Sequence, residues 1–107
     1  MKIAYAGLAL IFCLSAVLAR AEDKGAVTYG GGNGSSFKTA IAILGAKDET
    51  EGTKAEYSYL AKHFPNYKLT QQALLHDDKK DYDLLEFTAA NGSNHTLYFD
   101  ITDFFGR

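Results

Sequence analysis

The sequence predicts an α+β fold in which one helix packs on a four-stranded antiparallel meander sheet, in the order β-α-β-β-β. Three observations indicate this class. Residues with helical apolar spacing lie between a capping box and a proline, a short β-branched run precedes them, and three segments of alternating polarity follow. The apolar face of such a sheet must be covered, and the helix carries the only apolar stripe available for this.

The helix is predicted over residues 49–64. Asp48 is the candidate N-cap residue, and Glu51, three residues later, completes a capping box. Pro65 marks the end of the helix, because a proline ring disfavours helical backbone in the residue before it. The residues expected to face the sheet are Thr53, Tyr57, Leu60, Ala61 and Phe64.

Four strands are predicted, at residues 38–44, 67–76, 82–89 and 96–102. A polar loop over residues 77–81 and the Asn91-Gly92 turn signal separate the last three strands. The side chains expected to face the helix are Leu69, Ala73, Leu75, Leu85, Phe87, Leu97, Phe99 and Ile101. The outer face, meaning the sheet face turned away from the helix, is expected to carry Gln72, Leu74, Tyr82, Leu84, Glu86, Tyr98 and Asp100.

The chain is expected to divide into three regions. Lys2, an apolar run over residues 3–18 and the small residues around Arg20 predict a signal peptide over residues 1–21. The apolar run is shorter than the roughly 20 residues of a spanning helix, so cleavage is favoured over a membrane anchor. Residues 22–36 are predicted to be a flexible Gly-rich lead-in, and residues 37–107 a single α+β domain. The expected location is periplasmic or secreted.

Charge and cysteine content exclude several classes of function. The net charge is −2, and without Lys2 and Arg20 it becomes −4, with acids and bases interspersed. Such a charge distribution lacks the clustered basic residues of a nucleic-acid binder, and an anionic membrane surface would repel the protein. Neither a nucleic acid nor a membrane is therefore expected as a partner. The only cysteine, Cys13, lies in the predicted leader, so the exported domain is expected to have no disulfide and no thiolate nucleophile.

The C-terminal half resembles a PepSY-type domain over roughly residues 50–106. The likeness lies in a helix that ends at a proline, the segment 82–87 (YDLLEF), the Asn91-Gly92 turn, the segment 97–100 (LYFD) and a late Gly106. The layout is also similar to that of small exported bacterial proteins of no known role, and to the one-helix meander of cystatins. The resemblance implies a non-enzymatic module, often linked with protease inhibition or envelope regulation, and implies no catalytic residue.

The candidate catalytic and metal-binding groups are sparse. His76, Asp77, Asp78 and Asp81 could bind a divalent cation, but a hairpin loop of this composition is more often solvated. A hydrolase would need His76 or His95 near Asp100. The glycines of residues 30–34 lack the Gly-Lys-Ser/Thr ending of a phosphate loop. The expectation is therefore no enzyme, no metal and no cofactor.

The outer face is the predicted recognition surface, because exposed tyrosine and leucine side chains are typical of protein interfaces. The candidate binding residues are Gln72, Leu74, Tyr82, Leu84, Tyr98 and Asp100. The expected partner is another protein, and self-association as a homodimer or structural protein is the alternative. Phe104 and Phe105, near the end of the chain, could either close the core or form a hook for a partner.

Overall fold

The computed structural model describes residues 26–107. Its elements are β1 (Thr28–Gly31), β2 (Ile41–Leu44), α1 (Glu49–His63), β3 (Lys68–Asp77), β4 (Lys80–Thr88) and β5 (Asn94–Asp100). The α+β class is confirmed, with one helix on one sheet in this part of the chain. The predicted leader, residues 1–21, lies outside the described residues.

The sheet has five strands in the order β1-β2-β5-β4-β3, so the predicted four-stranded antiparallel sheet is wrong in two respects. A further strand, β1, pairs with β2, and β2 lies parallel to β5, with Ile41 opposite Phe99. The parallel pair follows from chain direction. A helix returns the chain after β2, so β3 starts in the direction of β2, and two hairpins later β5 has that direction again. The predicted antiparallel meander of β3, β4 and β5 is present.

The predicted flexible lead-in is wrong from Thr28 onward, because the glycine-rich segment is built into the fold. The Tyr29 hydroxyl donates a hydrogen bond to the Ala55 carbonyl of α1 at 2.7 Å. Gly34 is buried with φ of +89°, and a Cβ there would lie 2.9 Å from the Ile41 and Leu97 side chains. Glycine at this position serves close packing and a left-handed backbone rather than flexibility.

Helix α1 begins and ends as predicted. The Asp48 carboxylate accepts a hydrogen bond from the Glu51 N–H at 2.9 Å, and the Glu51 carboxylate accepts one from the Lys47 N–H at 2.9 Å. These bonds satisfy N–H groups that have no partner within the helix. Phe64 caps the C-terminus directly before Pro65.

The predicted apolar stripe of α1 is displaced by about one residue. The buried positions are Gly52, Ala55, Glu56 and Leu60, whereas Ala61 is exposed. The ring of Phe104 packs directly against the backbone of Gly52, so that a Cβ atom on residue 52 would lie only 2.3 Å from the ring. Hydrophobic spacing could not reveal this face, because a glycine and a glutamate hold two of its four buried positions.

The core lies between α1 and the sheet. Tyr59 and Phe99 meet edge to face with ring centroids 5.6 Å apart, and Phe64 meets Phe87 at 4.8 Å. The predicted inward residues of β4 and β5 are confirmed, with Leu85, Phe87, Phe99 and Ile101 buried and Leu97 half-buried. The sheet therefore has one face covered by a helix and one face without a described helix or strand over it.

The β3–β4 hairpin turn is tighter than the five-residue loop that the sequence predicts. Asp78 and Lys79 are its two central residues, with φ of 48° and 66°. Positive φ at both positions is the geometry of a type I′ turn, for which Asp-Gly is preferred.

Lys79→Gly is expected to raise the free energy of unfolding by about 0.5–1 kcal/mol, because glycine removes the left-handed strain of a side-chain-bearing residue. Chemical denaturation measures the change. Lys80→Gly, one residue later in a strand, is the control and is expected to destabilise the protein. An equal loss of stability in both variants would contradict the turn geometry.

Candidate functional site

The outer face is organised as two rows of cross-strand neighbours. In one row Ala73 of β3 pairs with Leu84 of β4, which pairs with Tyr98 of β5. In the next row Leu75 pairs with Tyr82, and Tyr82 pairs with Asp100. Paired residues in adjacent antiparallel strands point to the same side of the sheet. Leu84, Tyr98 and Asp100 therefore lie together where the sequence placed them.

Gln72 and Leu74 do not belong to the outer face, and their predicted placement there is wrong. Gln72 pairs with Leu85 of the core, and its amide oxygen accepts a hydrogen bond from the Tyr57 hydroxyl of α1 at 2.9 Å. Leu74 pairs with Asp83, which also points toward α1.

A β-bulge explains the error. The pairing of β3 with β4 slips between Leu69 and Gln71, so that Thr70 is an extra residue. One extra residue reverses which side of the sheet the following side chains face. Leu69 therefore points toward α1 as expected, whereas Ala73 and Leu75 point to the outer face.

Phe37 is a residue of the outer face that the sequence pattern does not predict. Its ring contacts Tyr82 at a centroid distance of 4.8 Å and Tyr98 at 5.0 Å. The hydroxyls of Ser36 and Thr39 hold the segment that carries it, since Ser36 Oγ accepts from the Thr39 N–H and Thr39 Oγ1 accepts from the Ser36 N–H. An aromatic residue directly after a Gly/Ser-rich stretch was the only signal for it in the sequence.

The aromatic contacts change the character of two predicted binding residues. Tyr82 is buried, and burial raises the pKa of its phenol, with the nearby Asp100 carboxylate adding to the shift. Tyr98 is half-buried beside Phe37. Asp100 is engaged by its own neighbours, since Oδ1 accepts from the Thr102 N–H at 3.0 Å and Oδ2 lies 3.7 Å from Lys80 Nζ. Leu84 and Tyr98 are therefore the accessible apolar centre of this face.

The helix side of the sheet has a cleft of about 200 Å³. It is lined by Glu49, Thr53, Gln72, Leu74, Asp83, Ile101, Phe104 and Phe105. Leu74 and Phe105 are the exposed apolar side chains at its rim, 56% and 39% accessible. Phe104 is buried and closes the core, whereas Phe105 is exposed.

Asp83, which lines this cleft, belongs to a pair of buried carboxyl groups whose other member, Glu56, lies in the core. Glu56 of α1 is fully buried, and its carboxyl lies next to that of Asp83. Burial raises the pKa of Glu56 from 4.5 to about 10, and the neighbouring carboxyl of Asp83 adds to the shift. A proton on Glu56 lets it donate to Asp83, whereas two carboxylates would offer only acceptors to each other.

The candidate metal and hydrolase groups do not converge. His76 contacts Asp81 across the β3–β4 hairpin, on the same side of the sheet as α1. His95 stacks on Phe87 at 5.4 Å, also on that side, whereas Asp100 lies on the outer face. Neither histidine can meet Asp100 across the sheet. Within residues 26–107, no group of three or more histidine, cysteine or acidic side chains is arranged to hold a metal ion.

Comparisons with known proteins found no matching family model, curated protein or solved structure. The resemblance to PepSY-type domains and cystatins therefore stays a prediction. Over residues 26–107, the only helix is too short and too polar to cross a membrane.

Proposed function

We propose that this chain is a small exported, non-enzymatic module that binds another protein through its outer face. The leader predicted at residues 1–21 would take it to the periplasm or out of the cell. The PepSY-like layout supports an inhibitory or regulatory action toward an envelope protein or a protease. No metal and no cofactor takes part in this proposal.

The sheet face opposite the helix is the observation on which the proposal depends, and among the described residues the loop that carries Phe37 packs on part of it. The helix packs against one side of the sheet, and no described helix or strand crosses the other. That side presents Leu84 and Tyr98 as half-buried neighbours, next to Ala73 and the rings of Phe37 and Tyr82. Apolar side chains with a tyrosine at the centre and polar groups around them are typical of a protein interface.

The surrounding polar groups fit such a site. Glu86 and Thr96 pair across the strands beside the Leu84 row, and the Lys80–Asp100 pair lies on its other side. This polar border would exclude water from a docked partner while the apolar centre supplies most of the binding free energy. The rings of Phe37, Tyr82 and Tyr98 hold one another in place, so little side-chain freedom is lost on binding.

The geometry favours binding over hydrolysis. The histidines and Asp100, which a hydrolase would need together, lie on opposite sides of the sheet. Among residues 26–107, the carboxyl with a strongly raised pKa is that of Glu56, and it is enclosed in the core rather than open to a substrate.

Leu84→Lys is expected to reduce capture of a protein partner from the exported fraction of the native host by at least about tenfold, or about 1.4 kcal/mol of binding. A lysine at this position puts a charge at the centre of the apolar patch, where a docked partner would desolvate it. Quantitative pull-down with the tagged wild type and variant measures the change.

Ala61→Lys is the matched control, because it introduces the same side chain on the exposed side of α1. It is expected to retain capture, and circular dichroism establishes that both variants are folded. Equal capture by the wild type and by folded Leu84→Lys, or no specific capture by the wild type, would refute the proposed function.

A further inference from the structure

Strand β3 forms one edge of the sheet and is its longest strand. It pairs with β4 on one side, and its other side has no neighbouring strand among the described residues. A free edge of ten residues offers a row of unpaired N–H and C=O groups to another strand. Natural proteins block such an edge with charged side chains, proline or a β-bulge.

The centre of β3 has none of these blocking features. Residues 70–76 (TQQALLH) contain no proline and no lysine, arginine, aspartate or glutamate. The bulge lies at Thr70, where this run starts. The side chains are accessible as well, since Leu74 is 56% exposed and Ala73 and Leu75 are only half-buried.

We infer that β3 pairs with β3 of a second copy of this chain, antiparallel and about a two-fold axis at Ala73. The two sheets would then be continuous, with both helices on the same side, because a two-fold axis perpendicular to a sheet preserves its faces.

The register follows from the faces of the side chains. Antiparallel neighbours must point to the same side of the sheet, and beyond the bulge the side chains alternate regularly from Gln71 to Asp77. A pair centred on Ala73 places Gln72 opposite Leu74, both on the helix side, and Gln71 opposite Leu75, both on the outer face. It also aligns the uncharged run of residues 70–76 with itself from end to end.

Charge favours a second copy over an unrelated strand. Lys68 precedes the uncharged run and Asp77 follows it. In an antiparallel pair the start of one strand lies beside the end of the other, so each Lys68 comes near the Asp77 of the second copy. In this antiparallel pair the charged ends of the two strands are therefore of opposite sign, and the two uncharged runs match in length.

Sedimentation velocity on the protein recovered from its producing cells tests the inference. The wild type is expected to show a concentration-dependent rise to twice the monomer mass. Ala73→Lys is expected to remain monomeric, because it would place two ammonium groups against each other at the two-fold axis. Leu84→Lys, on the outer face in β4 and one strand in from the edge, is expected to dimerise like the wild type. A wild type that stays monomeric at all concentrations would overturn the inference.

Cysteine cross-linking keeps the test decisive if Ala73→Lys fails to fold. Ala73→Cys is expected to form a disulfide-linked dimer under mild oxidation, because Cα atoms of opposed residues lie about 4.5–5.5 Å apart, within disulfide range. Leu74→Cys is the control, since its two copies would be offset along the strands by two residues, roughly 7–8 Å apart. Wild-type protein under the same oxidation reports any linkage through Cys13. Equal cross-linking at positions 73 and 74, or none at 73, would overturn this register.

A dimer lost on Leu84→Lys but kept on Ala73→Lys would assign self-association to the outer face and refute the edge pairing. The partner capture described above is measured separately, so either proposal can fail while the other stands.

Discussion

Glu56→Gln is expected to raise the free energy of unfolding at pH 7 by on the order of 3 kcal/mol. Glu56 is fully buried beside Asp83, and burial raises its pKa to about 10. The folded protein must therefore hold Glu56 as the neutral acid at pH 7, whereas the unfolded chain ionises it freely. Each pKa unit between the unfolded value and the working pH costs about 1.4 kcal/mol of stability. Glutamine has nearly the same shape as glutamic acid and is uncharged in both the folded and the unfolded state, so it avoids this cost.

The sign of the pH dependence follows from the raised pKa. The stability that neutral Glu56 contributes is fully present below about pH 4.5, its unfolded value, and is lost as the pH rises toward 10. The free energy of unfolding of Glu56→Gln should therefore be close to that of the wild type at pH 4.5, and should exceed it by a growing amount as the pH rises. Asp83, Tyr57 and Tyr67 are titratable neighbours in this region, and they stay the same in both proteins.

Chemical denaturation of both proteins at several pH values measures this difference. Glu86→Gln makes the same substitution at a half-buried position of the outer face and separates the effect of full burial from that of the substitution itself. A difference between Glu56→Gln and the wild type that does not change between pH 4.5 and pH 8 would show that Glu56 is ionised in the folded protein.

Phe104→Ala is expected to lower the free energy of unfolding by about 3–5 kcal/mol, which is a large part of the stability of a small domain. Phe104 is 1% exposed, and its ring lies against the backbone of Gly52 in α1. Truncation would leave a cavity between the helix and the C-terminal turn that neither the backbone of Gly52 nor the rigid sheet can fill. Urea denaturation followed by far-UV circular dichroism measures the loss.

Phe105→Ala is the matched control for this variant. The side chain is the same and adjacent in sequence, but it is 39% exposed at the rim of the cleft. We expect Phe105→Ala to lower the free energy of unfolding by less than about 1 kcal/mol. Similar losses in the two variants would mean that the C-terminal turn does not close the core through Phe104 alone.

Elements that depend on neighbours in the chain could be predicted from the sequence. The capping residues Asp48 and Glu51 and the terminating Pro65 act within one turn of helix, so the bounds of α1 were predicted to within one residue. The inward face of β5 was also predicted, because its alternation is uninterrupted and one side of the sheet is buried. The three-stranded meander and the single covering helix followed from these elements.

The candidate site was predicted only in part, because of a bulge in β3 and a loop that joins the site from elsewhere in the chain. Leu84, Tyr98 and Asp100 lie on the outer face because β4 and β5 alternate without a break. Gln72 and Leu74 lie on the other side because Thr70 is a bulge, and a bulge is stabilised by the pairing of two strands rather than by local sequence. Phe37 joins the site through a loop whose position depends on Tyr82 and Tyr98, far away in the chain.

The fold class, the helix with its caps and the meander of the last three strands could thus be predicted from the sequence, since each depends on interactions between residues close in the chain. Three other features could not be predicted in this way: the glycine-rich segment forms a strand and a packed turn, β2 lies parallel to β5, and Gly52 and Glu56 face the core. These features depend on contacts such as Gly34 with Leu97, Gly52 with Phe104 and Glu56 with Asp83. Glycine and glutamate are not apolar residues, so a pattern of hydrophobicity along the chain cannot show that they are buried.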